Sequence, residues 1–163
     1  MPTWQGRGLT VSELRTFAAL CAEHGPLATT ALYLDDNGFG DEGLGVLTPL
    51  LCDSFPSLAR LHLPSNNLSE AGIRALCAAP LAQPLVELEL SGNRIGSAGL
   101  AALGDAIKAG RLLLGSGTLG VQNIGATAEA EERFWSAAPK LAGRVVETRF
   151  GGDASAFGEV FVG

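Results

Sequence analysis

The chain is poor in the residues that usually carry chemistry or cross-links. It has three cysteines (Cys21, Cys52 and Cys77) and only two histidines among 163 residues. An odd cysteine count without a C-x-x-C pair speaks against both a disulfide framework and a zinc site. Cys21 and Cys77 each follow a Leu in a helical-looking segment, where a small apolar side chain packs well; free thiols fit a reducing, cytoplasmic compartment. Aromatics make up 6%, so Leu, Ala and Val must fill the core. Basic residues are also scarce: 11 Lys and Arg against 17 Asp and Glu give a formal charge of −6. A nucleic-acid partner requires a basic patch, and an anionic membrane surface selects against the same acidity.

Long apolar runs are missing too. Met1 to Thr10 contains none, so no secretory signal is expected. The longest uncharged stretch, Leu112 to Ala128, is broken by four glycines, Gln122 and Asn123, which excludes a membrane span. What remains is 47% apolar, with 22 glycines spread along the chain. That composition predicts one domain with a substantial core and many turns.

The turns recur. Leu32-x-Leu34-x-x-Asn37-x-Phe39 returns as Leu61-x-Leu63-x-x-Asn66-x-Leu68 and as Leu88-x-Leu90-x-x-Asn93-x-Ile95, at steps of 29 and 27 residues. Six residues after each Asn stands a glycine (Gly43, Gly72, Gly99), followed by the stripes Leu44/Leu47/Leu51, Ile73/Leu76/Pro80 and Leu100/Leu103/Ile107. Alternation in the L-x-L segment predicts a short strand with its leucines on one side. The Asn amide both donates and accepts, so it suits a turn whose backbone groups need partners. Asp41-Glu42, Ser69-Glu70 and Ser97 are placed to start helices, by capping and by complementing the helix dipole. A single coil cannot bury its leucines; stacked coils can.

This pattern, over residues 29–110, resembles the leucine-rich repeats of the ribonuclease inhibitor and of the Ran GTPase-activating protein. The resemblance implies an α/β solenoid: a short right-handed horseshoe segment with parallel strands on the concave face and helices on the convex face. The whole chain, 1–163, then reads as one domain. Residues 9–28 form an N-terminal capping repeat, in which Leu9-x-Val11 is a shortened strand and Leu14, Phe17, Leu20 and Cys21 face inward from a helix over Ser12 to His24. Residues 29–110 hold three regular repeats, and 111–153 hold irregular ones. In the fourth copy Leu119-x-Val121 restores the strand, Ile124 occupies the Asn place, and Ala130, Phe134, Ala137 and Leu141 stripe the next helix. A degenerate fifth copy reads Val145-x-x-Thr148-x-Phe150-x-x-Asp153. Residues 154–163, rich in bulky apolar side chains, either cap the last coil or dock on a neighbour.

Several motifs invite sharper readings. Gly115-x-Gly117-x-x-Gly120 spells a dinucleotide fingerprint, but it stands between a helix end and a strand, not between a strand and a helix, and reads as a loop. Asn67-Leu68-Ser69 is a formal glycosylation sequon whose Leu68 is an inward residue. His24, before Gly25, suits the end of the first helix. No His, Cys or carboxylate cluster has metal-ligand spacing, so no metal or cofactor is expected.

Register assigns three outward rows across the strands: Ala31, Arg60, Glu87, Thr118, Glu147; Tyr33, His62, Glu89, Gly120, Arg149; and Asp35, Pro64, Ser91, Gln122, Gly151. His62 lies between Tyr33 and Glu89, an order that fits either a proton relay or an ordinary cross-strand ladder, and Arg60 and Glu87 form a lateral pair. With no nucleophile or pocket in view, the expectation is a non-catalytic chain. Its expected role is that of a protein–protein interaction module or a small scaffold subunit of a larger assembly. The expected contact set is Tyr33, Asp35, Arg60, His62, Glu87, Glu89 and Ser91, against the alternative of a plain solvated sheet face. The resemblance also implies an alternative role, regulation of a partner enzyme in the manner of a GTPase-activating protein or an inhibitor.

Overall fold

In a computed structural model, residues 4–137 are described. Their elements alternate: α1 (Val11–His24), β1 (Ala31–Tyr33), α2 (Gly40–Asp53), β2 (Arg60–His62), α3 (Glu70–Ala78), β3 (Leu85–Glu89), α4 (Gly96–Lys108), β4 (Leu113–Gly120) and α5 (Ala128–Ala137). The strands form one parallel sheet in the order β1-β2-β3-β4, and each helix packs on the next. Parallel neighbours joined by a helix are what a stack of identical coils must produce.

Alternation dictates the core. Leu32, Leu34, Leu61, Leu63, Leu88 and Leu90 are all buried, and they meet Leu44, Leu47, Leu51, Ile73, Leu76, Leu100, Leu103 and Ile107 from the helices. Pro80 does not join its stripe, because α3 stops at Ala78 and leaves Pro80 exposed. The residue pairs across the strands are those the spacing gives: Leu32 with Leu61, Leu61 with Leu88, Leu88 with Leu119.

The Asn residues are the second structural device. Asn66 Nδ2 donates to Leu34 O and Pro64 O, at 2.8 and 3.1 Å, while its Oδ1 accepts the N–H groups of Asn37 and Gly38. Asn93 does the same one coil later, bonding Leu63 O, Leu90 O and the N–H groups of Asn66 and Leu68. Each amide thus satisfies backbone groups of two coils that burial would otherwise leave unpaired. In the fourth copy Ile124 is buried, as expected, and Asn123 is exposed beside it.

A further regularity lies in the backbone. Gly6, Asp36, Ser65, Gly92 and Asn123 all have φ between 51° and 70°. Each stands two residues after the second inward side chain of its coil (Trp4, Leu34, Leu63, Leu90, Val121). The sharp turn there demands left-handed backbone, which Gly, Asn, Asp and small polar residues tolerate best.

Three expectations need correction. Leu9-x-Val11 is not a strand. Thr10 caps α1 through a capping box with Glu13, and Val11 is already helical. The first coil runs earlier: Trp4 N–H donates to Tyr33 O at 3.2 Å and Gly6 N–H to Asp35 O at 2.9 Å, and Leu9 N–H donates to Asn37 Oδ1. Leu20 is exposed, because Leu14 and Cys21 already fill the inner face of α1 and Leu20 falls beside it. The Gly115–Gly120 motif lies inside β4 instead of in a loop. No helix opens directly on it, so the context that a dinucleotide site needs is still missing. The expected fifth copy, with Glu147, Arg149 and Gly151, and the 154–163 segment lie outside the described residues.

Candidate functional site

The outward rows form where the spacing places them. Ala31, Arg60, Glu87 and Thr118 are aligned neighbours, as are Tyr33, His62, Glu89 and Gly120. The row of Asp35, Pro64, Ser91 and Gln122 follows from the turn ladder: Asp36 N–H donates to Pro64 O, Ser65 N–H to Ser91 O, and Gly92 N–H to Gln122 O. Because the strands are held through buried leucines below, these side chains stand on a fixed platform.

At its centre, the rings of Tyr33 and His62 meet edge to face with centroids 4.7 Å apart, a geometry that aromatic quadrupoles favour. His62 Nε2 lies 3.0 Å from Glu87 Oε1, a close contact that lacks the geometry of a hydrogen bond. With side chains 20% and 35% exposed, the pair is half-buried.

Two expectations about this row change. The carboxylate beside His62 belongs to Glu87, not Glu89. Glu89 turns the other way: its Oε1 accepts Ser91 N–H at 2.8 Å, and its carboxylate lies over Gly120, where any Cβ would collide with it. No Tyr33–His62–Glu89 relay is assembled. Nor is there an Arg60–Glu87 pair, since Glu87 is taken by His62 and Arg60 Nε has no hydrogen-bond partner among the described residues.

Asp35 is split in role. Its Oδ2 accepts from Gln5 Nε2, while its Oδ1 is buried without a partner among the described residues. Gln5 was not among the expected site residues. The signal for it was present, since Trp4, Gly6 and Leu9 repeat the spacing of Leu34, Asp36 and Phe39. Ser91 Oγ accepts Gln122 N–H at 2.9 Å, tying β3's turn to the next coil. Of the seven expected contact residues, Tyr33, His62 and Glu87 cluster, Asp35 and Arg60 each keep an atom unpaired among the described residues, and Glu89 and Ser91 are engaged internally.

Among the described residues there is no group of His, Cys, Asp and Glu able to hold a metal, and no helix long and apolar enough to cross a membrane. All three cysteines are free, with Cys21 and Cys77 buried. Residues 30–47 and 82–104 match the family model described as a leucine-rich repeat. The two matched segments span the β1 coil and the β3 coil, each from the approach to its strand into the following helix.

Proposed function

We propose that this chain, whose residues 30–47 and 82–104 match a leucine-rich-repeat model and whose described residues form an α/β solenoid with one parallel sheet, is a non-catalytic interaction module or small scaffold subunit that binds another protein across that sheet. Leucine-rich-repeat domains generally mediate protein–protein contacts, and solenoids characteristically use the concave sheet for them. The observation that carries the reading is the unused hydrogen-bonding capacity at one place on the sheet face. Among the described residues Arg60 Nε and Asp35 Oδ1 have no partner, and His62 Nε2 makes no hydrogen bond. Buried polar atoms are nearly always satisfied, so unsatisfied ones on a rigid face mark where a partner supplies the missing groups.

The contact set we propose is Tyr33, Asp35, Arg60, His62, Glu87, Glu89 and Ser91. Tyr and Arg are residue types enriched among the side chains that dominate interface energies. Four strands at about 4.8 Å spacing give a face only about 15 Å across, which suits a helix or a loop of the partner and not a whole domain. The subtype we propose is ribonuclease-inhibitor-like, with residues 29–110 as the regular repeats, acting in the cytoplasm and without nucleic acid. Support for the last point is the net charge of −6.

Photo-cross-linking tests the reading. A benzophenone side chain at position 62 or 87 should trap one discrete protein from the native source, and the same group at Arg74 on α3 should not. Equal trapping from both faces, or trapping only from position 74, overturns it.

A further inference from the structure

Charge on the sheet face is unevenly neutralised. Glu87 is the cross-strand neighbour of Arg60, yet its carboxylate lies 3.0 Å from His62 Nε2, one row further along. Among the described residues Arg60 forms no ion pair, and its Nε is buried without a hydrogen bond. Asp35 is the reverse case. Its Oδ2 accepts from the neutral amide of Gln5, its Oδ1 is buried without a partner, and no described cation pairs with it. Asp36, exposed beside it, adds a second negative charge at that end. Between cation and carboxylate lie the rings of Tyr33 and His62.

These groups stand in a line. Arg60 and His62 are two residues apart on β2, and Asp35 is level with Pro64, two residues beyond His62. Cation, rings and carboxylate thus follow one another along the strands at steps of about 6.6 Å. Both charges are half-buried, and a half-buried charge without a counter-charge is unfavourable.

We propose that the occupant of this face is an amphipathic helix of another protein, which sets a carboxylate against Arg60, an apolar side chain against Tyr33 and His62, and a Lys or Arg against Asp35. The proposal rests on the sheet face being the contact surface, and it adds the chemistry of what binds there. The face offers side chains, because the strand backbone is used within the sheet. An extended segment laid across it would leave its own N–H and C=O groups dry and unpaired, whereas a helix satisfies its own. At about 1.5 Å per residue, helical side chains at i, i+4 and i+8 are spaced by about 6 Å, close to the steps on the face. A helix about 10–12 Å in diameter also fits a sheet about 15 Å across. A uniformly acidic or uniformly basic helix would set one of the two charges against its own sign, so the mixed order is selected.

NMR titration of the full chain with designed Ala-rich helical peptides of about 20 residues tests this. One peptide carries Glu, Leu and Arg at i, i+4 and i+8; two others carry Glu at both ends or Arg at both ends of the same triplet. Followed at the amides of Tyr33, Asp35, Arg60 and His62, the mixed peptide should bind at least about fivefold more tightly than either like-charged one. Arg60→Glu should transfer the preference to the peptide with two Arg, and Asp35→Arg to the peptide with two Glu. The amides of Leu61 and Leu63 report folding. If a reversal unfolds the chain, Arg60→Gln or Asp35→Asn replaces it and should abolish the preference. Equal binding of the three peptides, binding by none, or a preference that both reversals leave unchanged overturns the proposal. A discrete protein trapped from position 62 while the peptides fail leaves the sheet face as the contact surface and removes only the helix and its charge order.

Discussion

Asn93 Oδ1 accepts the backbone N–H of Asn66 at 3.0 Å, so the turn of one coil is closed by the side chain of the next. Both amides are buried, and both couple neighbouring coils in a way that no leucine contact does. Asn66→Ala leaves the N–H groups of Asn37 and Gly38 without their acceptor, while Leu34 O and Pro64 O keep bonds from Asn37 Nδ2 and Asp36 N–H; it should cost about 1–3 kcal/mol for each N–H left unsatisfied and dry. Asn123→Gly, at an exposed left-handed position, should be neutral within about 0.5 kcal/mol. Urea melts of the two variants give the comparison, and an equal loss in both contradicts the ladder.

Ile124 stands where the ladder would have continued and is buried instead. Ile124→Val should cost about 0.5–1.5 kcal/mol. Ile124→Asn should cost more, because its amide enters an apolar site. A stabilised Ile124→Asn in a thermal melt shows that the fourth coil keeps an empty place for the amide.

The architecture was legible because one spacing encodes three things at once. Leu61-x-Leu63 sets the strand, Asn66 the turn, and Gly72 the close approach of the helix that follows. Side-chain direction within a row was not legible. Register correctly paired His62 with Glu89 as backbone neighbours, yet Glu87 swings to the imidazole while Glu89 is drawn to Ser91 N–H and the open space above Gly120. That choice depends on which neighbour lacks a Cβ and which N–H is free, facts fixed only once all four strands are assembled. The first coil was misplaced for a related reason. Leu9-x-Val11 alternates like a strand, but the capping pair Thr10 and Glu13 outweighs two apolar residues and starts the helix there.

Asp41 couples α2 to α3. Its Oδ1 accepts Ser69 N–H at 2.8 Å and its Oδ2 accepts from Ser69 Oγ, while Ser69 itself caps α3. The carboxylate passes directly over Gly72, and a Cβ there would strike it. Gly72→Ala should therefore destabilise by about 1–2 kcal/mol, the scale of a lost cap, although alanine favours helices. In an Asp41→Ala background the penalty should vanish. A double-mutant cycle by chemical denaturation measures it, and purely additive losses contradict the coupling.

Burial pushes the Cys77 thiol up to about 11 from an ordinary 9.0. The folded state therefore favours the protonated thiol. Its contribution is complete below pH about 9 and is lost as the pH rises from there through 11. At pH 8 an alkylating reagent should label Cys52, which is only half-buried, well before Cys77 or Cys21. Mass spectrometry of a time course gives the order, and early labelling of Cys77 contradicts the packing of α3.

Partner binding across the sheet is the central claim, and the affinity of the cross-linked partner for face variants tests it most directly. Tyr33→Ala and Arg60→Ala should each weaken binding at least about tenfold, or 1.4 kcal/mol. Their melting temperatures should stay near that of the unaltered chain, because neither side chain enters the leucine core. Arg74→Ala, on the outer side of α3, should leave the affinity unchanged. If both face variants bind as tightly as the unaltered chain while Arg74→Ala does not, the partner sits on the helices and the account is wrong.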